Sequence, residues 1–204
     1  MKKIRLLLIT VLLPFLSMAQ GGVEIVPFGG YMFGGHVNFY EGEYKITDGA
    51  DYGLSLIVPV KQVVDLEINY TRMQSVGKFT AYLPGYNDSE TDMSTNYFQI
   101  GSLKYLSLNN PKVKPFGSFS LGATWFDFSD YDDKVLFSIV AGLGVKIMFS
   151  DRVGVMLRGR LMMPMFFGGV GFYLGTGGSG LTLNSYSTIV QGDFNGGLVI
   201  KLGN

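Results

Sequence analysis

The chain has 204 residues, 47% hydrophobic and only 16% charged, with 29 glycines, no cysteine and a formal net charge of zero. Without cysteine there is no disulfide and no thiol-linked lipid, so stability cannot rest on cross-links. A balanced charge excludes the basic face that nucleic-acid binding requires.

The first element in chain order is a leader. Lys2, Lys3 and Arg5 precede an apolar run from Leu6 to Leu16 that Pro14 interrupts, and Ser17-Met18-Ala19 puts small residues where a signal peptidase reads. This pattern predicts a secretory signal peptide over 1–19 and a mature domain over 20–204. The run is too short for a spanning helix, which needs about 20 apolar residues. Taking those three cations from 16 leaves 13 Lys and Arg against 16 Asp and Glu, a formal charge of −3.

Beyond the leader the apolar residues recur with period two, the spacing of a strand with two unlike faces. VEIVPFGGYMF (23–33) sets Glu24 against Ile25. In 51–60, Tyr52, Leu54, Leu56, Val58 and Val60 oppose Asp51, Gly53 and Ser55. In VDLEINY (64–70), Val64, Leu66, Ile68 and Tyr70 oppose Asp65, Glu67 and Asn69. NYFQIGSLKYL (96–106) begins with Phe98 and Ile100 on one face and ends with Leu103 and Tyr105 on the other. A β-bulge near Gly101-Ser102 is the expected reconciliation. In 115–126, Phe119, Leu121, Ala123 and Trp125 oppose Ser118, Ser120, Gly122 and Thr124. Over 134–149, Val135 to Phe149 at every second position oppose Lys134, Ser138, Gly142, Gly144 and Lys146. Over 153–163, Val153, Val155, Leu157 and Leu161 oppose Gly154, Arg158 and Arg160. Over 188–202, Val190, Phe194, Leu198, Ile200 and Leu202 oppose Gln191, Asp193, Asn195 and Lys201.

These eight segments are mostly 10–15 residues long. Soluble strands average about five or six, whereas a tilted membrane strand needs about 9–11. Their connections alternate strictly. Short turns fall around Lys61-Gln62, Asn109-Asn110-Pro111 and Ser150-Asp151-Arg152; long connections span about 34–50, 75–94, 127–133 and 164–187. Strict alternation is the mark of an up-and-down barrel with short turns at one end and loops at the other, both termini at the turn end. A soluble lipocalin-type barrel also has eight strands. It would leave Lys134, Ser138, two glycines and Lys146 as the wet face of 134–149, a sparse solvent surface. The expectation is an all-β fold: an eight-stranded antiparallel up-and-down transmembrane β-barrel, apolar face outward. A closed barrel is the one sheet that leaves no backbone donors and acceptors unpaired in hydrocarbon.

The signal ending SMAQ, the stretch EIVPFGGYMFGG (24–35), YFQIGSLKYL (97–106) and the run PKVKPFGSFSLGATW (111–125) resemble the small outer-membrane barrels of Gram-negative bacteria, the OmpA-like and OmpX-like group. They are most similar to the porin-like "outer membrane protein beta-barrel domain" family of Bacteroidetes. The resemblance covers the chain from about Val23. It implies a multi-pass outer-membrane location with both termini periplasmic. It implies outer-membrane lipid and lipopolysaccharide as neighbours, with other envelope proteins as a further class of partner. The chain ends LVIKLGN, where that group usually ends in an aromatic residue.

Within such a barrel Asp65, Glu67 and Asp193 face Lys146, Arg158, Arg160 and Lys201 across a lumen just wide enough to be filled by side chains. Buried charges must pair, so an ion-pair network plugging the barrel is expected, with Glu24 and Lys201 on neighbouring closing strands. An ion or proton path is the functional alternative for the same residues.

His36, Asp88 and Ser89 together resemble the catalytic residue types of the lipid A palmitoyltransferase barrel. They are common loop residues, and the expectation is no enzyme and no catalytic set. The acidic loop residues, Glu41, Asp51, Asp130 and Asp132 among them, lack EF-hand spacing, so no metal or cofactor is expected. The fourth long connection is Gly-rich and carries Phe166, Phe167, Phe172, Tyr173 and Tyr186, more apolar surface than a solvated loop needs. It is the candidate partner-binding loop. Tyr52, Tyr70, Trp125 and Phe149 suit an interfacial aromatic girdle. Two functions stay open: a structural or interaction barrel serving an envelope complex, and a small porin-like barrel that transports or binds a hydrophobic ligand.

Overall fold

The computed structural model describes residues 22–38, 40, 42–61, 64–85, 87–106, 112–129, 133–175, 178–186 and 189–203, excepting the side chains of 37, 38, 61, 166–175 and 178–186. The expected signal peptide (1–19) lies outside the described residues, as do Glu41, Asp130 and Asp132.

All eleven described elements are strands: β1 (Val23–Phe33), β2 (His36–Asn38), β3 (Gly42–Ile46), β4 (Gly49–Lys61), β5 (Val64–Ala81), β6 (Ser89–Tyr105), β7 (Val113–Phe128), β8 (Lys134–Met148), β9 (Val153–Gly175), β10 (Gly178–Tyr186) and β11 (Gln191–Leu202). Eight of them close a ring, β1-β4-β5-β6-β7-β8-β9-β11, sealed where β1 pairs β11 and every neighbour is antiparallel. Closure removes the edge strands that an open sheet would expose.

The period-two reading fixes the two faces. Leu143 is 75% exposed, Phe194 68% and Leu161 56%, all on the outside. On the inside, Glu67 and Arg160 are each 6% exposed and Asp193 1%. The distribution is the reverse of a water-soluble domain's: apolar side chains outside and ions within, as in barrels that cross a bilayer.

The structure departs from the expected bulge. β6 runs in unbroken register against both neighbours, with Gly101 opposite Glu67 and Ser120, and Leu103 opposite Asp65 and Ser118. Leu103 points inward, where with Val26, Ile57, Phe116, Met156 and Val199 it builds an apolar plug near the turn end. Apolar residues there serve a core, and Lys104 takes the outward position. A second apolar cluster of Met32, Ile46, Met73, Met93, Tyr97, Phe126, Val140, Met162 and Ile189 closes the loop end.

The long connections are largely strand. β5 and β6 continue as a hairpin to Ala81 and Ser89, with Asp88 Oδ1 accepting the Ala81 amide at 2.9 Å. β3 docks on β5 beyond the end of β4, and β2 docks on β3. The upper part of β9 pairs with β10 from Phe166–Tyr186 to Gly175–Gly178.

Two inward glycines are required by close approach. A Cβ at Gly144 would lie 2.5 Å from Phe116 Cζ and 2.6 Å from the Leu157 carbonyl, and one at Gly53 would lie 2.5 Å from Phe28 Cζ. The rings of Phe116 and Phe28 occupy the space those side chains would take.

Candidate functional site: the charged lumen

Between the two apolar clusters lies a layer of buried ions. β9 presents Arg158 and Arg160 on its inward face, two residues apart, as the strand period demands. Arg158 reaches across the barrel: its Nη1 donates to Glu67 Oε1 at 2.6 Å, its Nε to Asn195 Oδ1 at 2.8 Å and its Nη2 to Ser55 Oγ at 3.1 Å. Arg160 turns to β11, its Nε donating to both carboxylate oxygens of Asp193 at 3.0 Å and its Nη2 to Oδ2, while Nη1 donates to Asn69 Oδ1 at 2.9 Å. Asn195 Nδ2 donates to Asp193 Oδ2 at 2.8 Å and Asn69 Nδ2 to Ser55 Oγ at 2.7 Å, which joins the two arginine systems. The Phe28 ring underlies both guanidiniums, at 4.6 Å from Arg158 Cζ and 5.2 Å from Arg160 Cζ, a cation–π geometry.

Nearer the turn end, Lys146 Nζ donates to Glu24 at 2.8 and 3.0 Å and to the Tyr105 hydroxyl at 2.7 Å, with Asp65 at 4.0 Å. Toward the loop end the lumen carries uncharged hydrogen-bonding groups, with Asp51 the acid among them. Gln99 Nε2 donates to Ser138 Oγ at 2.6 Å, Thr124 Oγ1 to the same oxygen at 2.7 Å, and the Tyr97 hydroxyl to Gln191 Oε1 at 2.5 Å. Asp51, which the sequence placed both on the inward phase of 51–60 and among the loop acids, is 2% exposed inside the barrel. Its Oδ2 lies 3.8 Å from Arg160 Nη2, yet neither carboxylate oxygen accepts a hydrogen bond.

The structure therefore brings Asp65, Glu67, Lys146, Arg158, Arg160 and Asp193 into the lumen and sets Lys201 apart. Lys201 is opposite Glu24 in register, as expected of the closing strands, but is only half-buried, and the Glu24 carboxylate turns to Lys146 instead. The sequence did not pair Glu24 with Lys146, and it did not mark Asn195, Ser55, Asn69 and Phe28 as the supports of Arg158 and Arg160. The signal for these was phase: each sits on the inward set of its strand.

His36, Asp88 and Ser89 do not meet. His36 on β2 and Ser89 on β6 are separated by β3 and β5, three inter-strand steps of about 4.8 Å. The side chains of Phe166, Phe167, Phe172, Tyr173 and Tyr186 lie outside the described ones.

On the outer wall Tyr52 and Phe149 are exposed and the rings of Tyr70 and Trp125 stack at 6.0 Å. Beside them Asn96 accepts from the Tyr70 hydroxyl at 2.9 Å and donates to Asp127 at 3.0 Å, with Arg72 alongside. Polar groups on the outward face of β5–β7 begin here, in register with Val135 at the start of β8.

Among solved structures the chain is similar to Neisserial surface protein A, with 14% identity and a TM-score of 0.60 over 89% of this chain and 97% of that one. It also aligns with Ail of Yersinia pestis, at 12% identity and TM-score 0.49 over 89% and 99% of the two chains. A third alignment is with the N-terminal barrel domain of Pseudomonas aeruginosa OprF, at 14% identity and TM-score 0.45 over 88% and 98%. No family model and no curated protein matches the sequence. The fold is that of the small eight-stranded outer-membrane barrels: closed, antiparallel and up-and-down.

Proposed function

We propose that the chain is an integral outer-membrane barrel, of the OmpA-like and OmpX-like kind, that closes its own lumen. Its role is structural or interactive, as a free-standing envelope protein or an accessory subunit of an envelope complex. The observation that supports this reading is the Arg158–Glu67 contact, which crosses the interior between two apolar clusters. Ions held this way are poorly placed to move, since breaking a buried pair leaves an uncompensated charge. With the short turns in the periplasm, both termini lie there and the long hairpins lie outside. The β9–β10 hairpin, which pairs Phe172 with Leu181 and Phe166 with Tyr186 in register, is the segment we assign to a partner protein.

The test is conductance in planar bilayers. The expected result is no stable current of general-porin size; stable, weakly selective channels would contradict the closed lumen. Pull-down from detergent-solubilised membranes, with and without residues 166–186, tests the accessory role, and recovery of the bare barrel alone would count against it.

A second reading, binding of a small hydrophobic ligand, draws support from the loop-end cluster, where four methionines (Met32, Met73, Met93 and Met162) give an adaptable apolar lining. Saturable binding of a fluorescent alkyl probe, weakened by Met93→Ala, would favour it.

A further inference from the structure

The two rims of the barrel carry opposite charge. Lys104 is exposed on the outer wall of β6, opposite Val64 and Gly117. Lys114 on β7 is opposite Lys146, so it shares the inward face and is exposed at the turn-end mouth of the lumen and not on the outer wall. The Lys112 carbonyl accepts the Met148 amide at 2.9 Å and the Arg152 carbonyl accepts the Lys201 amide at 2.8 Å, which seats Lys112, Arg152 and Lys201 at the same end. Lys61 is there too by its backbone, opposite Val64. Among the described turn-end residues Asp151 is the one exposed acid, because Glu24 and Asp65 are buried in the lumen with Lys146. The loop end is reversed: Asp48, Asp88, Glu90, Asp92 and Asp133 are exposed there against Lys45, Lys78 and Lys134.

We propose that Lys104 on the outer wall, with Lys112 and Arg152 at the turns, forms a collar that binds the phosphate headgroups of anionic phospholipid in the leaflet at that end. The proposal rests on the reading that the barrel spans a bilayer. Lys104 has the geometry for it: an outward position just below the apolar row of Phe98 and Ile100, from which its methylene stem can lie along the wall while the ammonium reaches headgroup level. Each Lys or Arg close to an anionic leaflet strengthens association by about five-fold, an effect that fades within a Debye length. The acidic loop end repels the same headgroups, so the collar also distinguishes the leaflets.

The experiment is native mass spectrometry of the folded barrel in detergent micelles with phosphatidylglycerol or phosphatidylcholine added. Phosphatidylglycerol is expected to be retained about ten-fold or more over phosphatidylcholine at low salt. Lys104→Gln with Lys112→Gln and Arg152→Gln should bring the ratio close to one, and Asp88→Asn with Glu90→Gln and Asp92→Asn should leave it unchanged. Heat-modifiable migration on gels checks that each variant is folded; should the triple variant fail that check, Lys104→Gln with Arg152→Gln replaces it with the same expectation. Equal retention of the two lipids by a folded, micelle-bound wild type overturns the collar alone, as does a preference that survives the substitutions. A wild-type protein that stays dissolved without detergent overturns the membrane reading beneath it.

Discussion

Arg158 and Glu67 are 91 residues apart in sequence, sit on β9 and β5, and meet at 2.6 Å. In the ring β1-β4-β5-β6-β7-β8-β9-β11 these two strands are diametrically opposite, so the contact ties one wall of the barrel to the other through its centre. Removing one member of a buried pair typically costs about 3–5 kcal/mol, while replacing both by apolar residues of similar volume is often neutral. Arg158→Ala should therefore lower unfolding stability in urea by about that amount, and Arg158→Met with Glu67→Met should recover most of it. Two single substitutions whose costs simply add would show that the pair carries no coupling.

Arg160 has two acidic neighbours that the structure treats differently. Asp193 accepts hydrogen bonds from its Nε and Nη2, whereas Asp51 stands at 3.8 Å and accepts none. Asp193→Asn should destabilise the barrel by about 3–5 kcal/mol. Asp51→Asn should be neutral or stabilising, since it removes a buried charge whose oxygens have no donor. Equal losses in the two variants, read from urea midpoints with unchanged slopes, would contradict this division.

Glycines on the two faces should respond oppositely to alanine. At Gly144 a Cβ meets the Phe116 ring and the Leu157 carbonyl, so Gly144→Ala overpacks the plug and should cost about 1–3 kcal/mol. At Gly117, on the outer wall, a Cβ meets only Leu143 Cδ2 at 3.7 Å. Gly117→Ala should be harmless or stabilise by up to about 1 kcal/mol through the unfolded chain. The comparison is made by refolding both variants into vesicles of one composition.

A charge on the apolar belt should be costly in proportion to depth. Leu143→Arg, at a 75% exposed position well inside β8, should lose about 2–4 kcal/mol of folding free energy in vesicles. Val135→Arg, one residue from Lys134 at the start of the strand, should lose about 1 kcal/mol or less. Equal costs at the two sites would mean that no hydrocarbon gradient runs along β8.

Much of this was legible in the sequence, because a wall with lipid on one side and ions on the other imposes period two with little ambiguity. VDLEINY alone placed Asp65, Glu67 and Asn69 on the face that the structure buries. The reading failed where the lumen is itself apolar. Leu103 and Tyr105 looked out of phase under the rule that apolar means outward, and a bulge was invoked where the register is continuous. It also stopped β5 and β6 too early, since a hairpin clear of the membrane needs no apolar face, and SETDMSTN (89–96) has none. The Glu24–Lys146 pair was out of reach for a different reason. Phase tells which face a residue occupies, but pairing across the lumen depends on relative height, which only the closed register supplies.

The central claim is the orientation of the two faces, and the cysteine-free chain allows it to be tested by single spin labels. Labels at Leu143→Cys, Phe194→Cys and, for the loop-end tip, Tyr82→Cys would be read in vesicles for collision with oxygen and with a water-soluble nickel chelate. The account predicts that oxygen but not the chelate reaches positions 143 and 194, with the reverse at 82. Free access of the chelate to 143 and 194 would place those side chains in water and contradict it.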